Sequence, residues 1–172
     1  MIYSNELNPV GLTGVLETAL DAPCEEQTRT MLGLWESKLG NSKLPYRSDF
    51  TMAEMKDCLG HIYIIEAIDD GADFLVRLAG TALAEMFGED FTGAKFSDDR
   101  LALASWRLPI FRKVLETSEP VMCRLLLGPD SASRVITENL MLPVYDKSVE
   151  KTILMCVSLP VGALSKSGQR ID

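Results

Sequence analysis

Hydrophobic positions change period several times along this chain, and each change marks an element. From Glu25 the apolar residues Met31, Leu32, Trp35 and Leu39, with Thr28, recur at three- and four-residue steps, which predicts an amphipathic helix closed by Gly40-Asn41. Leu44-Pro45-Tyr46-Arg47-Ser48-Asp49-Phe50 is a connector, because the residue before a proline is pushed out of the helical region. A second helix is expected near Thr51, which pairs with Glu54 as a capping box; it would bury Met52, Met55 and Leu59 and end at Gly60. His61 to Ile68 is then almost continuously apolar, the mark of a strand covered on both faces. The cluster at 69–73 turns it into Phe74 to Ala79, a second strand.

After that hairpin the period returns to helical. Leu83, Met86 and Phe87 define a short helix from Thr81 that Gly88 can end in the left-handed region. From Asp98 to Thr117 the stripe Leu101, Ala104, Leu108, Phe111 and Leu115 marks a longer helical segment, in which Pro109 should produce a kink or a split. The last third reads as strands at 121–127, 134–145 and 152–160. The reading is therefore an α+β domain: a five-stranded antiparallel sheet, a helical crossover on one face and N-terminal helices that include the only element large enough to cover the other. Residues 1–24 read as an arm or short helix, 25–162 as the domain, and 163–172 as a polar tail that frays.

Composition narrows the function classes. The chain has 172 residues, enough for one domain that buries roughly 70% of its unfolded surface. Its net charge is −8, which opposes nucleic-acid binding because no surplus of cations is available to release counterions. The first ten residues lack the basic and apolar regions of a secretory signal. The apolar run 153–164, broken by Ser158 and Pro160, is short of the ~20 residues that span a bilayer. A cytoplasmic protein with reduced thiols is expected, its four cysteines scattered without a Cys-x-x-Cys pair.

Candidate chemistry is sparse. The single histidine, His61, begins a strand with no second ligand nearby, so a structural role is expected rather than a metal or haem site. Neither phosphate-loop glycine spacing nor a nucleophile elbow occurs. Arg77 is a lone charge between Asp73 and Glu85 on a half-buried strand. It either anchors an anionic ligand through its planar fork or faces outward and pairs with Glu66 across the hairpin. Arg124 and Glu138, flanked by apolar residues, pose the same choice. Tyr63, Phe87, Trp106 and Phe111 are either lining for a cavity or plain core. Leu32, Trp35 and Leu39 are either a dimer seam or a cap on the chain's own sheet.

Three short motifs carry a family resemblance. Leu44-Pro45-Tyr46-Arg47 before the sheet, the step Arg77-Leu78-Ala79-Gly80-Thr81 and the exit Asp90-Phe91-Thr92-Gly93 occur in an order and spacing that resembles the PAS domain family of bacterial signalling, in particular a subfamily with a leucine-proline-x-arginine element. The resemblance spans about residues 25–162. It implies a small apolar cavity between sheet and crossover, dimerisation through elements outside the sheet, and a sensory or interaction role without catalysis. On that reading Tyr63, Arg77, Phe87, Trp106, Phe111 and Arg124 are the candidate ligand contacts; a homodimer, a signalling partner and a small-molecule ligand are the expected associates. The flavin-type cysteine sequence is absent and His61 is not on the crossover, so no cofactor is implied. Two rival readings stay open: a small cavity enzyme working through one acid, Glu66 or Glu138, and a purely structural interaction domain with a fully packed centre.

Overall fold

The computed structural model describes residues 14–20, 22–98, 101, 107–127, 134–164 and 170–171. The predicted hairpin is present: β2 (Ile62–Ile68) pairs antiparallel with β3 (Asp73–Ala79), Ile65 facing Val76 and Ala67 facing Phe74. Arg77 is the extra residue of a bulge, since Ile64 faces Leu78 while Ile65 faces Val76. The other predicted strands follow as β4 (Val121–Leu127), β5 (Arg134–Asp146) and β6 (Lys151–Leu164). In space the order is β4-β5-β6-β2-β3, every neighbouring pair antiparallel.

The sheet is larger than expected by two strands. Gly14–Ala19, read from sequence as an arm or helix, is β1 and pairs antiparallel with β4. Its local helical spacing is overridden by a partner more than 100 residues away, Gly14 facing Leu127. Arg170–Ile171, inside the predicted tail, is β7 and pairs with the end of β6.

Two apolar layers cover the two faces. On one, α1 (Glu26–Lys38) lays Met31 and Trp35 against Ile62, Ile64, Leu140, Leu142, Met155 and Val157. The indole N–H of Trp35 donates to the Pro143 carbonyl at 2.8 Å, so burial leaves that polar tip satisfied. On the other face the 80–120 crossover packs Leu83, Phe96, Ile110, Phe111 and Val114 onto Tyr63, Ile65, Phe74, Cys123, Met141 and Cys156.

Three further expectations change. Thr51 and Glu54 do form the reciprocal cap, at 3.3 and 2.9 Å, yet the chain beyond makes turns and not a helix. Met52, assigned to the buried side, is 73% exposed. Gly60 does not end a helix; it lies in a 3-10 turn, Leu59–His61, packed against Gly80. Of the kink or split expected at Pro109, the described residues show a helix that begins there, most of the segment before it lying outside them. Pro109 sits in the first turn of α3 (Leu108–Thr117), where its missing N–H has no intrahelical acceptor to lose.

Gly80, between β3 and α2 (Thr81–Phe87), shows why that step carries no side chain. A Cβ there would lie 2.3 Å from the Gly60 carbonyl oxygen, closer than atoms can approach. Gly88 ends α2 at φ +73°, the left-handed conformation expected of it.

The leucine-proline-x-arginine element is a latch on the β5–β6 hairpin. Tyr145 N–H donates to the Pro45 carbonyl at 2.9 Å, Arg47 reaches Asp146 at 3.3 Å, and Lys147 stacks over the Tyr46 ring at 3.9 Å.

Candidate functional site

Alternation along the strands decides which side chains reach which layer. Tyr63, Ile65, Cys123, Leu125, Met141, Leu154 and Cys156 face the crossover; their neighbours face α1. The α1 side is closed by well-made tethers. Glu138, fully buried on β5, accepts hydrogen bonds from Cys24 N (3.0 Å), Glu25 N (2.9 Å) and the Thr28 hydroxyl, and so caps the start of α1 from the sheet.

The crossover side differs in kind. Its centre combines Tyr63, Cys123 and Cys156 with the guanidinium of Arg107, which enters from just before α3. Burial raises the Tyr63 phenol well above its usual range, with Cys156 adding to the rise and Arg107 opposing it. Burial likewise pushes the Cys123 thiol up to about 12 against the pull of Arg107, and lifts Cys156 in the same direction. At neutral pH these groups are protonated, which makes them polar, uncharged and poor nucleophiles. The Tyr63 hydroxyl lies against the Cys156 thiol but forms no well-aligned hydrogen bond.

The ligand candidates named from sequence separate accordingly. Tyr63 and Phe111 lie in the crossover-facing core, where Phe111 packs with Phe74 and Phe96 at centroid distances of 5.3 and 5.2 Å. Phe87 is at the surface beside Phe91. Arg77 and Arg124 belong to the α1 side. Arg77 pairs with Glu66 at 2.6 Å across the hairpin, and Arg124 approaches Glu138 at 3.9 Å. Trp106 lies outside the described residues. Among the seam candidates, Trp35 is buried on the chain's own sheet, and Leu32 and Leu39 pack partly against the same layer.

Neither candidate acid faces the crossover core. Burial alone would raise Glu66, but hydrogen bonds from Lys151 and Arg77 outweigh it and hold the carboxyl below its ordinary range. Glu138 is committed to the α1 cap. The Nδ1 of His61 is buried without a hydrogen-bond partner. Among the described residues no three His, Cys, Asp or Glu side chains gather as metal ligands, and no helix is long and apolar enough to cross a membrane.

Sequence reasoning passed over Arg107, Cys123, Cys156, Asn139 and Ser158. A usable signal was present in Thr137-Glu138-Asn139, where period two puts Thr137 and Asn139 together on one face of an otherwise apolar strand. A surface hollow of about 870 Å³ borders α3 and the β2–β3 turn beside Phe74, Arg112 and Leu115, without reaching Tyr63, Cys123 or Cys156. Another, of about 850 Å³, runs along the α1 side beside Phe50, Met52, Met55 and Leu78.

A family model described as PAS domain matches residues 24–157. Among curated proteins none matches the chain significantly.

Proposed function

The chain belongs to the PAS domain family, and from that premise we propose that it is a sensory and interaction module that holds a small molecule between its sheet and its crossover. A family of sensory and interaction modules supports the general role. The single observation that supports ligand binding is the Tyr63 hydroxyl, buried beneath the crossover beside Cys156 and left without a hydrogen-bond partner. A core built only for stability excludes such a group or satisfies it, because leaving one unmade costs about 1–3 kcal/mol.

Transmission then rests on association. The crossover is anchored at α3, where Arg112 donates to the Gly71 and Ala72 carbonyls, both at 2.8 Å, and ties the helix to the β2–β3 turn. A ligand that prefers one packing of the crossover shifts the module toward it by its differential affinity for the two packings. A second copy of the chain or a signalling partner reads that change in the cytoplasm. No catalytic step is assigned.

The test is direct. Protein purified without added ligand is examined by native mass spectrometry, for stoichiometry and retained small molecules, and then by thermal shift against a metabolite panel. The expected result is a dimer or a partner complex, together with stabilisation by a restricted set of compounds. A strict monomer that captures no partner and that no compound stabilises would overturn the proposal.

A further inference from the structure

Three neutral, buried polar atoms on the crossover-facing side of the sheet share one strip and lack hydrogen-bond partners among the described residues. They are the Tyr63 hydroxyl on β2, the Ser158 hydroxyl on β6 and Oδ1 of Asn139 on β5. Their residues are 6%, 3% and 0% exposed. The strip follows from register: Tyr63 faces Cys156, Ser158 is two positions along the same face of β6, and Asn139 faces Ser158. With strands ~4.8 Å apart and ~3.3 Å of rise per residue, its ends are about 12 Å apart between Cα atoms.

The direction of each missing bond is defined. Asn139 Nδ2 already donates to the Thr137 carbonyl at 3.1 Å and to the Thr137 hydroxyl at 2.8 Å, and that hydroxyl leans on the Leu125 carbonyl at 3.4 Å. Asn139 therefore offers an acceptor. Tyr63 and Ser158 each offer a hydroxyl able to donate or accept. All three groups are neutral, and Arg107, whose charge is felt by Tyr63, Cys123 and Cys156, has interactions of its own. A charged ligand would have to give up its hydration with no free counter-charge to replace it. An apolar ligand would leave the three bonds unmade.

Resting on the sensory reading above, we infer that this strip binds a small neutral molecule bearing an amide or hydroxyl group, which presents an N–H or O–H to Asn139 Oδ1 and acceptors to the Ser158 and Tyr63 hydroxyls. Specificity follows from satisfying polar groups that are otherwise buried and unpaired, the arrangement that discriminates hardest against analogues lacking them.

The full chain, isotopically labelled, is titrated by NMR with three near-isosteric probes: benzamide, benzoate and toluene. Benzamide is expected to perturb the resonances of Tyr63, Asn139 and Ser158 and to bind at least ten-fold more tightly than either analogue. Tyr63→Phe and Ser158→Ala, checked for a native-like spectrum, are each expected to weaken benzamide several-fold while leaving toluene unchanged. If toluene or benzoate binds the strip as well as benzamide does, the ligand class is overturned and the sensory cavity stands. Benzamide binding that ignores both substitutions, or that perturbs only other residues, also overturns the inference. If no probe reaches the strip and ordered water fills it, the inference and the ligand-binding reading fall together.

Discussion

Glu138 carries the largest single structural expectation in the molecule. Helix α1 begins without a side-chain cap of its own, and its first donors turn instead to a carboxylate more than 100 residues away. Glu138→Leu removes the acceptor for two backbone N–H groups and the Thr28 hydroxyl, and it takes the nearest carboxylate from Arg124. Each buried donor left unmade costs about 1–3 kcal/mol. The Cys24 and Glu25 amides lie near solvent and recover part of that, so the sum settles near the ~3–5 kcal/mol typical of breaking a buried charged pair. Glu138→Gln keeps one acceptor oxygen and loses the charge, which should cost about 1–2 kcal/mol.

At about 2–4 °C per kcal/mol for a chain of this size, Glu138→Leu should lower Tm by about 6–20 °C and Glu138→Gln by about 2–8 °C. Thermal unfolding followed by circular dichroism measures both shifts, and urea unfolding the free energies behind them. Thr28→Val in the same cycle should show a coupling energy of about 0.5–3 kcal/mol with Glu138→Gln. The reasoning is refuted if Glu138→Leu proves as stable as the parent, because an apolar side chain of similar volume would then serve equally well and the cap would contribute nothing.

Two glycines make a matched pair: Gly80→Ala meets the Gly60 backbone at 2.3 Å and should cost more than about 2 kcal/mol, whereas Gly33→Ala, with open space around it within α1, should gain about 0.5–1 kcal/mol in the same unfolding assay. Of the four thiols, exposed Cys24 should react rapidly with an aromatic disulfide reagent under native conditions, while buried Cys58, Cys123 and Cys156 react only on unfolding, the first two held at about 11 and 12 by burial. Glu66, Asp73 and Asp146 all sit below their ordinary carboxyl range, so their contribution is complete above that range and is lost as pH falls through it toward the folded-state values. Acid titration of stability should show this loss, and Glu66→Gln should flatten part of it.

Elements whose cause is local could be read from the chain. The α1 stripe, the doubly buried β2, the turn at 69–73 and the Gly88 stop depend on residues within a few positions, and each lies where its pattern put it. What failed to show has a distant cause. β1 is a strand because β4 is beside it, and Thr51-Glu54 closes a capping box on a chain that must then bring Gly60 against Gly80. Pro109 was ambiguous in principle, since the same ring that breaks a helix interior is harmless in a first turn. The site was partly legible. Tyr63 on the sheet and Phe111 on the crossover meet in one layer, but Arg77 and Arg124 are on the opposite face because period two assigns the side and a single bulge shifts it. Asn139 and Ser158 become a pair only once β5 and β6 are in register.

The neutral buried groups left without partners gather on the crossover face of the sheet, and that clustering is what supports the proposed site. On the α1 side Glu138 is met by three donors, Trp35 Nε1 by Pro143 and the Pro45 carbonyl by Tyr145, while Nε of Arg124 is buried without a hydrogen-bond partner among the described residues. Sequence positions there are used for attachment, and the layer has little reason to move. On the crossover side the hydroxyls of Tyr63 and Ser158 and the Asn139 carbonyl are buried at comparable depth without partners. Phenylalanine and alanine would fill the first two places with nearly the same volume and no orphaned group. If the side chains served only the core, Tyr63→Phe and Ser158→Ala should raise stability by about 1 kcal/mol each with nothing lost. With a ligand-binding role, the same two substitutions should stabilise the empty protein and each reduce the stabilisation that benzamide confers. Thermal melts of both variants, with and without that probe, separate the cases: a fall in stability on either substitution would mean that the hydroxyl is already satisfied within the fold.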